Sequence, residues 1–198
     1  MANMPMVQQL IQPRNNIWIA GKMGDGMTLL LTHLLCEVNQ VDNRVVCNYG
    51  FSMADERMTA QEILDTFEKE PSFLDHAVVG FDSSNFLWNR APDIEEHYRF
   101  LFLKLLRSDI PVYVATQDLV LRELCLSETG QAILNAVPIY CQPRYSRQDN
   151  SLQVWLHDWN RNPVRTWPPQ RDQADAHVKL MSAHQIFEFY DTLEIIQD

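Results

Sequence analysis

Gly21-Lys22-Met23-Gly24-Asp25-Gly26-Met27-Thr28 lies between the apolar run Asn16-Ile17-Trp18-Ile19-Ala20 and an apolar stretch over residues 27–38. The first run has strand length and the second helical length, so the eight residues read as a glycine-rich turn from a β-strand into an α-helix. The alternation continues outward. Residues 44–49 (RVVCNY) form a β-branched run that reads as a second strand. Thr59-Ala60-Gln61-Glu62 is a capping box opening a helix to about Glu70, where Pro71 ends it. Residues 76–82 (HAVVGFD) read as a third strand that stops on an acid, Pro92 opens a helix through about Arg107, and residues 111–117 (PVYVATQ) read as a fourth strand. Near-continuous apolar strands separated by helices imply a parallel sheet covered on both faces, with ligands at the carboxyl ends of the strands.

Residues 119–126 read as a short helix, and 137–142 and 152–159 as two strands joined by a polar turn containing Asp149-Asn150. Residues 160–176, rich in Pro, Arg, Asp and Gln, read as an irregular loop, and the apolar end over 184–196 is expected to dock on the body. There is no internal repeat, so one domain over residues 1–198 is expected. The chain has 198 residues, 46% of them hydrophobic and 21% charged, a composition unlike disordered, collagen-like or coiled-coil chains. Its longest apolar stretch, 28–36, is interrupted by Thr32 and His33 and is shorter than the ~20 residues that span a bilayer. The amino terminus has no basic and apolar leader, and a cytoplasmic location is expected, the host cytoplasm for a viral protein. Four widely spaced cysteines without CxxC, and histidines without HExxH, speak against zinc chemistry. Sixteen basic residues against 26 acidic ones give a net charge of −10, which repels nucleic acid overall without excluding a local basic surface.

The turn can be set against the phosphate-binding P-loop, GxxxxGK[ST]. There the glycines let backbone N–H groups wrap phosphates, the lysine reaches the terminal phosphates and the hydroxyl binds Mg²⁺. Gly21, Gly26 and Thr28 are in register, whereas Met27 stands at the lysine position. Lys22 is placed like the additional signature lysine of deviant P-loops and could supply the missing charge. Asp25 puts a carboxylate in the loop, where it would repel phosphate unless it pairs with Lys22 or turns outward. The candidate nucleotide-binding residues are thus Gly21, Lys22, Met23, Gly24, Asp25, Gly26, Met27 and Thr28; the alternative is a glycine-rich turn that has lost its ligand. Asp82, closing Val78-Val79-Gly80-Phe81, has the placement of a carboxylate that holds Mg²⁺ together with Thr28, or else it caps a turn. The residue after it is Ser83, not the glutamate that would polarise an attacking water. Gln117 ends its strand where a sensor for the terminal phosphate would sit, and Arg122 is a candidate arginine finger toward a neighbouring subunit. Both also fit as plain surface residues.

The order of these elements resembles the P-loop ATPases of viruses and phages, in the broad FtsK/HerA and packaging-ATPase group that includes Zot-like morphogenesis proteins. The resemblance covers most of the chain. It rests on the 21–28 loop, Asn48-Tyr49, residues 59–64, Val78 to Asp82 with Arg90 downstream, the strand ending at Gln117, and Tyr190-Asp191-Thr192-Leu193-Glu194. It implies an α/β fold, a three-layer RecA/ASCE-like P-loop NTPase sheet, mostly parallel and flanked by helices, with a C-terminal β-hairpin. It further implies ATP and Mg²⁺ as cofactors, assembly into homo- or hetero-oligomers with related ATPase subunits, and movement of DNA in packaging or virion assembly. The departures at Met27 and Ser83 remove charge and base from phosphoryl transfer, and the expectation is that hydrolysis is weak or lost.

Arg144, Tyr145, Arg147, Trp155, Trp159, Arg161, Arg165, Trp167 and Arg171 gather in the last third, five arginines opposed by Asp149 and Asp158. Arginines interleaved with aromatics suit phosphate contact and base stacking, so Arg144, Arg147, Arg161 and Arg165 are the candidate DNA contacts. Alternatively the tryptophans pack a hairpin on the core and the arginines solvate it. A non-catalytic interaction subunit on the same fold is the competing function. A small-molecule kinase has less support, because no acceptor-binding basic cluster or lid follows the third strand.

Overall fold

β1 (Ile17–Gly21) is buried along its whole length, which requires a strand on each edge and cover on each face. In a computed structural model of the chain, which describes residues 16–39, 43–82, 92–159, 169–181, 186 and 190–195, both are present. β6 (Val112–Gln117) pairs with one edge of β1 and β7 (Ile139–Ser146) with the other, both in parallel. Beyond β6 the sheet continues in parallel through β5 (Ala77–Asp82), β2 (Arg44–Cys47) and the short β4 (Glu56–Arg57). Beyond β7 it turns antiparallel, through β8 (Ser151–Asp158) and β9 (Ala176–Met181). The eight strands stand in the order β4-β2-β5-β6-β1-β7-β8-β9. β6 is inserted between β1 and β5, so the glycine-rich turn and Asp82 leave the same end of the sheet one strand apart.

The helices divide between two buried clusters, one for each face. α1 (Met27–Asn39) packs with Ile17, Ile19, Val45 and Tyr113 on one face. Its Leu29, Leu30, Leu31, Leu34 and Leu35 are all buried, as its dense leucine content requires. On the other face α2 (Ala60–Lys69), α3 (Pro92–Leu106), α4 (Asp118–Leu124) and α5 (Glu128–Asn135) enclose Trp18, Val79, Phe81 and Val114. Phe102 of α3 lies at the centre of that layer, edge-on to Trp18 at 6.3 Å and to Phe81 at 5.5 Å between ring centroids. The capping box is formed: Glu62 N–H donates to Thr59 Oγ1 at 3.0 Å and Thr59 N–H to Glu62 Oε2 at 2.8 Å. No helix among the described residues is long and apolar enough to cross a membrane.

Two expectations are corrected and one unexpected helix is added. Residues 44–49 are not one strand: the chain leaves β2 after Cys47, and β3 (Tyr49–Phe51) pairs antiparallel with β10 (Tyr190–Ile195) in a separate ribbon. The break falls at Asn48, whose side chain pairs with the backbone of Asp82 instead of continuing the strand. Asp82 N–H donates to Asn48 Oδ1 at 2.6 Å and Asn48 Nδ2 donates to Asp82 O at 3.0 Å. Residues 160–176 are not all loop, because Arg171–Gln173 form a 3₁₀ turn and Ala176 begins β9, extending the expected hairpin to three strands. α5 had no counterpart in the sequence reading. Ser127 caps it by accepting from Gly130 N–H at 3.0 Å, and a glycine three residues after the cap in place of Glu or Gln hides that signal. Residues 160–168, including Arg161, Arg165 and Trp167, lie outside the described residues, as do Ser83 and Arg90.

Truncating Phe102 to alanine removes a fully buried ring from between two aromatic neighbours. The expected loss is about 3–5 kcal/mol of unfolding free energy, read by urea denaturation.

Candidate functional site

The 21–28 turn owes its shape to two glycines at φ +87°, Gly24 and Gly26, a backbone region open to glycine and strained for other residues. At Gly26 space matters too, since a Cβ would come within 2.9 Å of Leu152 Cδ1 and 3.1 Å of the Tyr145 Cβ. Leu30 N–H donates to Gly26 O at 3.0 Å and starts the hydrogen-bond ladder of α1. The Asp25 carboxylate neither salt-bridges the Lys22 ammonium nor turns outward. It folds back across the turn, accepting from the backbone N–H of Lys22 at 2.9 Å, while Asp25 N–H donates to Lys22 O at 3.0 Å. A carboxylate therefore takes up one of the backbone donors that a phosphate-wrapping loop turns toward its ligand. Asp25 O in turn accepts from Tyr145 N–H at 2.9 Å, which ties the turn to β7.

On the β5 side, Thr28 Oγ1 donates to Asp82 Oδ2 at 2.9 Å. The first turn of α1 and the end of β5 thus bring a hydroxyl and a carboxylate together, although 54 residues separate them and β6 lies between their strands. Asn48, buried, holds the Asp82 backbone in place through the two bonds described above. Gln117, half-buried, sits opposite Gly21 in the β1–β6 register, which puts it at the root of the turn. Arg122 is exposed on α4.

On the β7 side a cleft of about 400 Å³ opens beside the turn, lined by Gly21, Lys22, Asp25, Asp118, Gln142, Arg144 and Arg171, with Ala20 at its base. Asp118 and Gln142 carry no sequence signal for this site beyond the place of Asp118 directly after Gln117 at a strand end, and Arg171 stands out in the sequence only as part of the arginine- and aromatic-rich last third. Nothing in a one-dimensional pattern puts Arg171 near the turn. Burial raises the pKa of Asp118 and the Asp25 charge raises it further, against the lowering influence of Arg122, Lys22 and Arg171. Arg144 belongs to this cleft, while Arg147 is exposed just beyond β7. Burial pushes the thiols of Cys36 and Cys47 to about 11 and that of Cys141 to about 12, away from nucleophilic thiolate chemistry.

No protein-family model and no curated protein matches the chain. Solved structures do resemble it. The VirB11 ATPase of the Brucella suis type IV secretion system, solved in complex with sulphate, superposes with a TM-score of 0.54 at 12% identity over 81% of this chain. The chain spans about half of that structure, 53% of its length. The flagellar accessory protein FlaH from Methanocaldococcus jannaschii superposes with a TM-score of 0.50 at 13% identity, over 73% of this chain and 77% of that one. At these identities the likeness bears on the fold alone, an α/β, mostly parallel, helix-flanked sheet like that of these two structures.

A carboxyl group whose pKa is raised by folding opposes folding when ionised, and that cost disappears as pH falls below its unfolded value. Asp118→Asn is therefore expected to raise the melting temperature at pH 7, with the gain shrinking toward pH 4. Thermal melts of both proteins across that range check it.

Proposed function

We propose that this chain is a nucleotide-binding P-loop protein whose 21–28 turn takes the phosphates of ATP, with Thr28 and Asp82 holding Mg²⁺ and with hydrolysis weak or lost. The observation that carries the proposal is the 2.9 Å contact between Thr28 Oγ1 and Asp82 Oδ2. A hydroxyl and a carboxylate at one point suit a hard, oxygen-seeking cation such as Mg²⁺. The turn is also open at Gly24, where a Cβ would meet no heavy atom within 4 Å apart from those of its chain neighbours. When bound, MgATP brings a phosphoanhydride bond that a full set of catalytic groups would cleave.

The residues of this chain orient that ligand better than they activate it. Met27 brings no charge to the terminal phosphate, a deficit typically worth several kcal/mol of barrier. Gln117, at the root of the turn, is the group proposed to orient a water. Arg122, exposed on α4, is proposed to act on a neighbouring subunit.

At the level of biology, we propose a subunit of an oligomeric machine for viral DNA packaging, translocation or virion assembly, in a cytoplasmic setting. The order of motifs along the chain supports that reading, with Arg144 and Arg147 the exposed candidate contacts to DNA among the described residues. The competing reading is a non-catalytic subunit that binds a protein partner. It draws on the Asp25 carboxylate, which already takes the Lys22 amide.

Calorimetric titration with MgATP separates the two. Binding is expected in the native chain, weakened about tenfold or more by Thr28→Ala and by Asp82→Asn, a change of at least about 1.4 kcal/mol. The Met27→Lys variant is expected to hydrolyse ATP faster than the native chain. Absence of heat up to millimolar MgATP in native protein would leave the interaction subunit as the function.

A further inference from the structure

We propose that Arg144 and Arg171 form a polyphosphate-binding wall that supplies the positive charge missing at Met27, so that the ligand's phosphates lie in the cleft between the turn and the β7–β9 edge. The inference rests on the nucleotide reading above and extends it to residues outside the P-loop pattern. Its starting point is charge. Lys22, Arg144 and Arg171 line one cleft with two carboxylates, Asp25 and Asp118. Among the described residues none of the three cations has a carboxylate within salt-bridge distance, so their charge is not consumed by ion pairing. The Asp25 carboxylate, by contrast, is engaged by the Lys22 amide.

The fold fixes the backbone that carries Arg144 and the side chain of Arg171. Tyr145 N–H donates to Asp25 O, so the strand that carries Arg144 is bonded to the turn at the very next residue. Arg171 is braced twice. Its guanidinium lies 4.4 Å from the centroid of the Trp155 ring, which itself stacks on His177 at 4.7 Å and 15°. Gln142 Nε2 donates to Pro169 O at 2.9 Å, tying the segment before Arg171 to β7. Gln142 is also the cross-strand partner of Trp155, so brace and tether meet at one register position. A guanidinium fixed on an aromatic face keeps its N–H fork available for phosphate oxygens and loses less freedom on binding than a free side chain. The volume of about 400 Å³ falls in the range of small-molecule sites, and the polar lining suits a charged group over an apolar one. A lysine at the Met27 position would approach the phosphates from α1, whereas these guanidinium groups approach from the antiparallel edge of the sheet.

The test uses two probes, MgATP and magnesium-free inorganic tripolyphosphate, titrated into the native chain, Arg144→Gln, Arg171→Gln and Thr28→Ala, with thermal melts to show that each is folded. Arg144 and Arg171 are exposed, so their substitution leaves the core untouched. Each arginine variant is expected to bind both probes about tenfold more weakly, as loss of a charge-assisted bidentate contact implies, with Arg144→Lys and Arg171→Lys recovering part of the loss. Thr28→Ala is expected to weaken MgATP and spare tripolyphosphate. If the native chain binds MgATP and both glutamine variants match it within twofold, the arginine wall is wrong and the nucleotide reading stands. If the glutamine variants lose tripolyphosphate while Thr28→Ala leaves MgATP unchanged, the wall stands and the Thr28–Asp82 reading falls. No binding of either probe to the native chain overturns both.

Discussion

Asn16 is the buried polar residue on which the placement of β1 depends. Its amide donates to Leu106 O at 2.6 Å and to Ala136 O at 3.2 Å, and its carbonyl accepts from Val112 N–H at 3.0 Å. One side chain therefore satisfies the end of α3, the end of α5 and the first residue of β6, groups that would otherwise be buried without partners. With its amino end fixed in this way, β1 can run as five fully buried residues between β6 and β7 and deliver its carboxyl end at the middle of the sheet edge. The candidate site is arranged around that end.

The two sides of the turn differ in character. Toward β5, Thr28 and Asn48 hydrogen-bond to Asp82 through neutral donors and one carboxylate. Toward β7, the groups are charged, loosely enclosed and mixed in sign. Met27, packed partly against the core, brings no charge to either side. Asp25 occupies the middle, its carboxylate on the turn's own amide and its carbonyl on β7. A hydrogen-bonded hydroxyl–carboxylate corner and an open ionic cleft thus share one loop.

Much of this was legible in one dimension, for identifiable reasons. Parallel strands buried on both faces must be continuously apolar, so β1, β5 and β6 stand out, and the acid and amide that end β5 and β6 are visible as interruptions. The Thr59 capping box and Pro92 mark helix starts by local chemistry alone. β9 was obscured by its surroundings: Val178 is buried while the flanking His177 and Lys179 are exposed, a two-residue alternation lost within a polar stretch. Asn48 reads as one more residue of a strand, and only its pairing with Asp82 across 34 positions turns the chain aside. The cleft was the least visible, since Arg171 reaches the turn through a tether at Gln142 and a stack on Trp155. No periodicity encodes such contacts.

The bond from Tyr145 N–H to Asp25 O has a mechanical meaning. β7 is hydrogen-bonded along its full length to β8, and β8 to β9, so these strands form a stiff lattice that ends at the loop. The Asp25 peptide is the point at which that lattice is fastened to the turn, between two glycines at positive φ. A reorientation of this peptide must either break the fastening or pull on the antiparallel edge, so that the edge acts as a lever arm whose far end moves with the loop.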